Sequence, residues 1–519
     1  MNGTNSRGLA ALLFVASTAC AACNGQITDP MAGNGNGDDT PGDPGDPQDP
    51  GDPTTPIDPN LTVRLLPASG QSGTQVVNFA IPLPPGMLDD ATAVRVSHDG
   101  TELPAYRRAL ATYDDGSVRS VQLQVELAIS GETTLDIAIG QTGGGERAAV
   151  PVADTLVAAD GTAGPKVWAI LPADWMAASG IAGTIVPRGE IDGTPLDAWS
   201  RVCDYDRWNT DAFLAAQASR DVWLFDRVTA MYRGYAMTSD PAPLASGYRE
   251  AAIYRSRLTG TGAATRIGVP TAADDLKYHY TQGMALHYLL TGDDRFRESA
   301  EDVAERAHAL WRNPAYNGGF WTERHAGFGL LAYEWAAIVS DDQAATFAGW
   351  ADEAVTAYLA VIDGYPAWTD QEARCFAHTA DSHGEGYGTT GCSPWMSAIL
   401  ADALETHADR VGGDRAAAIR ARLVKLGRLV AKHGRDPSGK PYYWIALGAA
   451  SEVDDYDEHW GESAYLVAMA WHHGGRTDAE LKRVADELLA GLKTKGQAGQ
   501  LRSFNWQCRS AVQAPAYLK

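Results

Sequence analysis

The chain has 519 residues, of which 45% are hydrophobic and 21% charged, and its formal net charge is −23 at pH 7. This length is too great for one hydrophobic core and predicts about two or three domains. The composition is typical of a soluble globular protein, and the acidic balance excludes nucleic acid and anionic membrane surfaces as partners.

The first 23 residues have the pattern of a lipoprotein-type signal peptide. Arg7 supplies a positive charge, Leu9 to Ala19 is apolar, and small residues lead to Cys20. This apolar run is too short to span a bilayer as a helix. The pattern predicts an exported protein that is lipidated at Cys20, with Cys23 as a second candidate, and anchored in the outer membrane. Without the lipid it would be secreted, and no other membrane contact is expected.

Residues 24–60 form a predicted disordered linker rich in Gly, Asp and Pro. They contain eight Asp and no Lys or Arg, and Gly-Asp-Pro recurs at 42–44, 45–47 and 51–53. Such a segment cannot bury apolar surface, and proline and charge repulsion keep it extended. We interpret it as a tether.

Residues 61–155 are predicted to form a β-domain. Short β-prone runs alternate with turns such as His98-Asp99-Gly100 at intervals of roughly ten residues, which is typical of a small sandwich or barrel. The predicted strands are Leu61 to Leu66, Val76 to Ile81, Ala93 to Ser97, Val118 to Leu127 and Thr133 to Ile139.

Three segments of this region follow one another as they do in a known enzyme family. Phe79 to Gly86 reads FAIPLPPG, Gly100 to Pro104 reads GTELP, and Asp114 to Arg119 reads DDGSVR. The series resembles the N-terminal β-domain of polysaccharide lyases of the exo-rhamnogalacturonan lyase type. The resemblance implies that a helical toroid carrying catalysis follows. The sequence departs from the larger members, which also carry a sizeable C-terminal β-domain.

Residues 156–519 are predicted to be mainly helical. Helices joined by Gly/Asp turns recur at intervals of roughly 40–65 residues, which indicates internal repetition. The predicted hairpins are 221–258, 278–311, 323–362, 394–433 and 459–493. The fold class is therefore a multidomain β + α protein, a small β-sandwich or barrel followed by a catalytic (α/α) toroid of helical hairpins, with an open solenoid as the alternative.

Four loops that precede first helices of hairpins are crowded with aromatic, histidine and charged residues. Because each precedes a first helix, all four are expected at one end of the toroid. They are Lys277 to Tyr280, Trp321 to His325, His378 to Trp395, and Asp455 to Trp460.

The first two loops supply candidates for proton transfer and for binding a carboxylate. Tyr280 and His325 are candidate catalytic residues, although both types also pack at helix starts. A guanidinium beside an aromatic helix start suits bidentate binding of a carboxylate, which makes Arg324 a candidate. Its neighbour Glu323 is the alternative partner of Arg324.

The third loop is the strongest candidate for an active site. His383, Glu385 and Tyr387 lie among glycines that permit unusual backbone angles, and a long loop of this composition has little reason to exist for packing alone. A metal held by His378 and Asp381 with His383 and Glu385 is an alternative, but no familiar ligand spacing is present. The prediction therefore includes no metal site and no cofactor, with a divalent cation left open.

Four cysteines remain in the predicted folded region: Cys203, Cys375, Cys392 and Cys508. Export favours disulfides, and the pairs of a zinc site, such as Cys-x-x-Cys, are absent from this region. Three pairings are open. A bond between Cys375 and Cys392 would staple the third loop, and one between Cys203 and Cys508 would tie back the chain end.

These features favour a polysaccharide lyase that cleaves a uronic-acid-containing glycan by β-elimination. The reaction needs a base, an acid and a group that neutralises the carboxylate, and Tyr, His and Arg meet these needs. We predict His383 as base, Tyr387 as acid and Arg324 as neutraliser, with His325 and Tyr280 as further catalytic candidates. Predicted substrate-binding residues are Lys277, His279, Trp321, Glu385, Trp395, His459 and Trp460.

Two other functions stay open at this stage. A glycoside hydrolase on the same toroid would use a carboxylate pair, Glu385 with Asp457 or Glu458. A surface glycan-binding lipoprotein without catalysis would explain the tether and the aromatic residues. No nucleophile elbow, phosphate loop or dinucleotide fingerprint occurs, which excludes esterase, kinase and dehydrogenase functions. The expected partner is a polysaccharide or oligosaccharide, and the protein is expected to be a monomer.

Overall fold

The computed structural model describes residues 57–270, 274–311, 320–379, 389–453, 458–496 and 499–519. The predicted signal peptide with Cys20 and most of the predicted linker lie outside these residues. His383, Glu385 and Tyr387 lie outside them as well, so their assignments stay predictions.

The N-terminal part of the described chain contains two antiparallel sheets. One has five strands in the order β4-β3-β7-β1-β8, and the other has three in the order β2-β6-β5. The strands are β1 Asn60–Pro67, β2 Gly73–Pro82, β3 Val94–His98, β4 Thr101–Glu102, β5 Ala105–Thr112, β6 Val118–Ile129, β7 Thr133–Ile139 and β8 Val167–Ile170. All five predicted runs fall on strands, whereas β4, β5 and β8 were not predicted.

Alternation of apolar and polar residues explains β1. Leu61, Val63 and Leu65 are buried, while the residues between them face solvent. Successive side chains of a strand point to opposite faces, so this pattern gives the sheet one buried face. Strand β5 was not predicted because its arginines interrupt the run of apolar residues.

Helices dominate the rest of the described chain, and five helical hairpins occur where the sequence predicts them. The helices of the hairpins are α5 Arg227–Thr238 and α6 Pro241–Arg255, α7 Thr281–Thr291 and α8 Asp294–Trp311, α9 Glu323–Val339 and α10 Ala344–Asp363, α11 Pro394–Val411 and α12 Gly413–His433, and α13 Trp460–His473 and α14 Ala479–Thr494. Shorter helices flank them: α1 Ala173–Ala178, α2 Arg188–Ile191, α3 Ala198–Val202 and α4 Thr210–Ala216 before, α15 Leu501–Arg509 and α16 Ala514–Leu518 after. Short strands between helices are β9 Leu258–Thr259, β10 Arg266–Ile267, β11 His378–Thr379, β12 Thr390–Cys392 and β13 Ile445–Ala446.

First and second helices of the hairpins differ in burial. Helix α9 is buried on nearly all sides, whereas α8 and α14 bury one face. Gly327 allows α9 to approach α11 closely, because a Cβ there would lie 2.8 Å from the backbone nitrogen of Leu400. The first helices thus form an inner layer. None of the described helices combines the length and apolar character that a membrane crossing requires.

Contacts among the first helices follow chain order and return to their start. Helix α5 contacts α7, α7 contacts α9, α9 contacts α11, and α11 contacts α13. Helix α13 contacts α15 and α16, and α15 contacts α5. The disulfide between Cys203 and Cys508 joins α15 to the residue that follows α3. Helix α15 thus links α13 back to α5, which would not occur in an open stack of hairpins.

The three-stranded sheet packs on the C-terminal end of α7. Ser120 in β6 donates to the carbonyl of Leu289 at 2.6 Å, and Asn78 in β2 donates to that of Thr291 at 2.8 Å. These buried polar groups satisfy carbonyls that a helix end leaves without intrahelical partners. The β-layer therefore covers the end of α7 opposite to the end where the candidate loop precedes it.

Candidate active site at the loop end of the inner helices

Aromatic rings from five parts of the chain meet where the inner helices begin. We call Phe225, Trp395, Tyr443, His459 and Trp506 the aromatic cluster. Trp395 and His459 stack with ring centroids 5.3 Å apart and an interplanar angle of 13°, and His459 lies 5.0 Å from Trp506. Phe225 meets Trp506 edge to face at 4.9 Å. The starts of α5, α11 and α13 are thereby brought together with α15.

Arg324 lies in the first turn of α9, and its guanidinium stands 5.5 Å from the ring of Trp395. The residue is only 6% exposed. Within the part of the chain that the structure describes, its guanidinium has no ion-pair partner, and its buried Nε has no hydrogen-bond partner. A buried cation without a counter-charge is costly unless something else supplies one. Arg324 is therefore placed to receive an anion.

Glu323, the neighbour considered as a partner for Arg324, is occupied elsewhere. Its Oε2 accepts a hydrogen bond from His378 Nε2 at 2.5 Å, and its Oε1 accepts one from the backbone N–H of Ser393 at 2.8 Å. This fully buried carboxylate joins α9 to β11 and to the start of α11. It leaves the adjacent guanidinium available.

The predicted active-site loop stands on a short, cross-linked stalk. His378 and Thr379 pair with Gly391 and Thr390, and a disulfide joins Cys375 to Cys392. The stalk is also held to α9 through His378 and Glu323. His383, Glu385 and Tyr387 belong to the segment between its strands, which lies outside the described residues.

His325 forms a buried hydrogen-bonded series with Asp275 and Thr322. Its Nε2 donates to Asp275 Oδ1 at 2.9 Å, and its Nδ1 accepts from the hydroxyl of Thr322 at 2.5 Å. Burial lowers the pKa of His325 to about 4, so the ring is neutral near pH 7. Burial opposes the ionisation of Asp275, but the hydrogen bond from His325 and the charge of Lys277 outweigh it and lower the pKa of this carboxyl.

Asp275 also gathers two predicted substrate-binding residues. Lys277 Nζ lies 3.1 Å from Asp275 Oδ2, and His279 Nδ1 donates to the backbone carbonyl of Asp275 at 2.9 Å. Burial lowers the pKa of His279 to about 4. Asp275 was not among the predicted site residues, although its place two residues before Lys277 was a signal that could have found it.

Tyr280 and Trp460 occupy positions that favour packing. The Tyr280 hydroxyl lies 2.7 Å from the Trp223 carbonyl, accepts from the N–H of Phe225 at 2.9 Å, and has a pKa raised well above its usual value by burial. Trp460 lies against Gly491 of α14, where a Cβ would come within 2.0 Å of the indole. Neither geometry favours proton transfer or ligand contact.

Trp321 stacks on His325 with ring centroids 4.0 Å apart and an interplanar angle of 25°. The indole covers one face of an imidazole whose nitrogens are both bonded. Trp321 thus joins the predicted second loop to the buried series of Asp275.

Backbone strain concentrates beside the aromatic cluster. His459, Phe225 and Asp226 have φ angles of 68°, 74° and 48°, and they are three of the six non-glycine residues with positive φ in the described ranges. Such conformations cost on the order of 1–3 kcal/mol each and occur preferentially at functional sites. They orient the starts of α5 and α13 toward the cluster.

A charged network closes the space beneath the cluster. Asp402 of α11 accepts from Arg233 of α5 and from Arg509 of α15, at 2.8 and 2.9 Å, and all three are almost fully buried. Burial opposes ionisation of Asp402, but the two guanidinium groups lower its pKa to about 2. A cavity of about 10 Å³ lies between Phe225 and Arg509, enough for about one water.

Trp506 and Arg502 of α15 were also not predicted as site residues. The Arg502 guanidinium stands 5.2 Å from the ring of Trp506, which makes it a second cation–ring contact besides that of Arg324 with Trp395. Cations thus accompany two members of the cluster in a chain whose net charge is −23. The cations favour an anionic ligand at this end of the inner helices.

No described residues of the cluster form a metal site. In the described part, the one group of carboxylates close enough to share an ion is Glu301 with Asp341 and Asp342. It lies where α8, which carries Glu301, meets the turn between α9 and α10, at the opposite end of α9 from Arg324.

Two solved structures resemble the chain distantly. One is a polysaccharide lyase with 12% identity and a TM-score of 0.41, covering 62% of this chain and 98% of its own. The other is a glycosyl hydrolase of family 88 from Bacteroides vulgatus with 10% identity and a TM-score of 0.44, covering 64% of this chain and 100% of its own. No protein-family model and no curated protein matches the chain. Likenesses this distant do not assign an activity.

Proposed function

We propose that the protein is an exported polysaccharide lyase that cleaves a uronic-acid-containing glycan by β-elimination. The observation that carries this proposal is the buried guanidinium of Arg324, which has no counter-charge among the described residues and faces the ring of Trp395. A uronate presents a carboxylate and an apolar ring face together. Arg324 matches the carboxylate. Trp395 is itself buried in the aromatic cluster, so it positions the guanidinium and does not stack on the sugar.

In this reaction a base removes the proton on the carbon next to the uronate carboxylate, and the bond to the oxygen on the next carbon breaks. Negative charge develops on the carboxylate as the proton leaves. A fixed guanidinium in a water-poor site stabilises that charge because nothing has to reorganise around it. This is the role proposed for Arg324.

The proton-transfer groups of the proposal are His383 as base and Tyr387 as acid. Support comes from the described ends of their loop, which are cross-linked by the disulfide and tied through His378 to Glu323, the residue next to Arg324. His325 is neutral and engaged at both nitrogens, so it fits a supporting position better than that of the base.

The proposal also includes the fold and the location of the protein. The closed series of inner-helix contacts supports an (α/α) toroid, and the resemblance of 79–119 supports a preceding β-domain of the exo-rhamnogalacturonan lyase type. Two disulfides fit an oxidising compartment. Lipidation at Cys20 remains part of the proposal.

A glycoside hydrolase is the second candidate. Glu462 is 2% exposed, lies 3.6 Å from His459, and has two carboxylate oxygens without hydrogen-bond partners among the described residues. A hydrolase needs a second carboxylate, and the candidate is Glu458, four residues earlier.

The two candidates leave different products. The protein without substitutions, from residue 57 onward, is incubated with polygalacturonate, alginate and glucuronoxylan. Ultraviolet absorbance and the number of reducing ends are measured in the same reactions. A lyase gives both signals, because elimination leaves a conjugated double bond. New reducing ends without absorbance would establish the hydrolase and overturn the proposal, as would activity that Arg324→Ala retains. Arg483→Ala on the exposed face of α14 is the matched arginine control.

A further inference from the structure

A second cavity lies outside the aromatic cluster and shares none of its residues. It is a cleft of about 540 Å³ between the ends of α10 and α12 and the strand β13. Volumes of this size are typical of small-molecule sites. The residues of its lining that matter below are Tyr365, Trp368, Asp370, Lys432, Tyr442 and Ser451.

Trp368 is the most exposed large hydrophobic residue of the described chain. Its exposure is 71%, and the only other two in this class are the smaller Val157 and Val453, at 44% and 42%. Most of the large apolar surface of this indole is left in water, so its position is costly without a ligand. Because Trp368 lines the cleft, a ligand bound there would cover the exposed indole.

The turn that carries Trp368 is fixed by its own hydrogen bonds. The N–H of Thr369 and the side chain of Gln371 both donate to the Pro366 carbonyl, at 3.0 and 2.9 Å. Arg374 Nε donates back to the Gln371 carbonyl at 2.8 Å. The indole is therefore presented on a preformed backbone, which reduces the entropy lost on binding.

Charged and hydroxyl groups accompany the aromatic rings. Lys432 Nζ lies 2.7 Å from Asp370 Oδ2, and both line the cleft with Ser451 and Tyr442. A paired carboxylate and ammonium offer charge-assisted hydrogen bonds in both directions, as acceptor and as donor. A rigid ligand with neighbouring hydroxyl groups needs both a hydrogen-bond acceptor and a hydrogen-bond donor.

We propose that this cleft binds sugar units of the polysaccharide outside the aromatic cluster, with a sugar ring stacked on Trp368 and its hydroxyls bonded to Asp370 and Lys432. The ligand class rests on the proposed function. Strand β13 forms part of the cleft wall and pairs with β12, whose other neighbour β11 carries His378. One small sheet thus separates the cleft from the stalk of the predicted catalytic loop, so one glycan chain can reach both.

Binding is tested separately from cleavage by electrophoresis through gels containing polygalacturonate, alginate, glucuronoxylan or no polysaccharide. We expect retardation of the native protein in at least one of these gels. Trp368→Ala raises the dissociation constant for that polysaccharide by roughly 2- to 10-fold, the contribution of an aromatic contact, and Trp368→Phe restores most of it. Val157→Ala, an exposed apolar residue elsewhere, binds as the native protein does, and thermal unfolding confirms that each variant is folded.

Kinetics provide the second readout. On the long polysaccharide, Trp368→Ala raises KM by the same factor and leaves kcat unchanged, while on the shortest oligosaccharide cleaved it changes neither. The two proposals can fail separately. If Trp368→Ala is less retarded than the native protein and the native protein forms no double bond, the cleft is supported and the lyase is overturned. If Trp368→Ala has the retardation and the KM of the native protein, the proposed binding at the cleft is wrong and the lyase proposal is unaffected. The same holds if the native protein is retarded in no gel.

Discussion

The protein buries arginines in two places and treats them differently. Arg233 and Arg509, inside the ring of helices, share the carboxylate of Asp402 at 2.8 and 2.9 Å. Arg324, at the loop end, is as buried as a core residue yet has no counter-charge in the described ranges. The first arrangement satisfies the charge within the fold, and the second leaves it for a ligand.

This difference separates stability from activity. A buried ion pair is costly to break because removing one partner leaves an uncompensated charge. Removing an already uncompensated charge has no such cost to the fold. Substitutions in the two places should therefore have opposite signatures, a loss of stability in the first and a loss of activity in the second.

The largest effect is expected from Asp402→Ala. It leaves two buried guanidinium groups uncompensated, so we expect the free energy of unfolding to fall by about 3–5 kcal/mol. Denaturant unfolding at pH 7 measures the change. Asp486→Ala, which removes the exposed partner of Lys482 on α14, is the control and should change stability by less than about 0.5 kcal/mol. A loss in Asp402→Ala no larger than that would mean that the network contributes nothing to stability.

Arg324→Ala should have the opposite signature. We expect kcat/KM to fall by about 100- to 1,000-fold, the effect of removing one electrostatic stabiliser from an active site, and stability to be unchanged or higher. Arg324→Lys keeps the charge without the bidentate geometry and should recover part of the activity. Destabilisation of Arg324→Ala as large as that of Asp402→Ala would show that Arg324 is structural.

The disulfide at the base of the predicted loop connects the two effects. Replacing Cys375 and Cys392 with Ser removes a cross-link across 17 positions, for which chain entropy gives about 3 kcal/mol. Because this bond also fixes the stalk of the loop, activity should fall at temperatures where the double variant is still folded. Circular dichroism and the absorbance assay, performed on the same sample, separate these quantities. Full activity in the folded variant would remove the stalk from the proposed mechanism.

Local patterns were sufficient to predict most of the secondary structure. The strand β1 alternates apolar and polar residues, and the turn at Gly412 separates α11 from α12 as its glycine indicates. A closed toroid was predicted, with a bond between Cys203 and Cys508 as one open pairing, but the helix α15 that completes the ring was not. Its place depends on a bond from Cys508 to a residue 305 positions away, and no local period reports a contact of that range.

The roles of the predicted site residues stay predictions, but their placement can be compared with the structure. Three of the four loops singled out by composition supply residues that lie near one another, Arg324, Trp395 and His459. The partners of these residues depend on three-dimensional packing. Glu323 was considered a partner of Arg324 because the two are adjacent, but successive helical residues do not face each other, and Glu323 instead meets His378.

Buried histidines extend the comparison to pH. His287 in α7 is fully buried among aromatic rings, accepts a hydrogen bond from the Tyr232 hydroxyl at 2.7 Å, and has a pKa lowered by burial to about 3. The unfolded chain takes up a proton at this residue below its ordinary pKa of about 6.5, whereas the folded chain does not until near pH 3. Its contribution to stability is therefore present at neutral pH and is lost as the pH falls from about 6.5 toward 3.

His287→Gln removes this titration and keeps a side chain that can accept the hydrogen bond. Between pH 7.5 and 5, the native protein should lose about 2 kcal/mol more stability than the variant, since one proton changes the free energy by about 1.4 kcal/mol per pH unit. Denaturant unfolding at both pH values, compared within each protein, cancels any direct effect of the substitution. His433→Gln at an exposed position is the control and should keep the native pH dependence. If His287→Gln keeps it too, His287 is not a source of acid sensitivity, and the loss must come from histidines at the loop end such as His279 and His325.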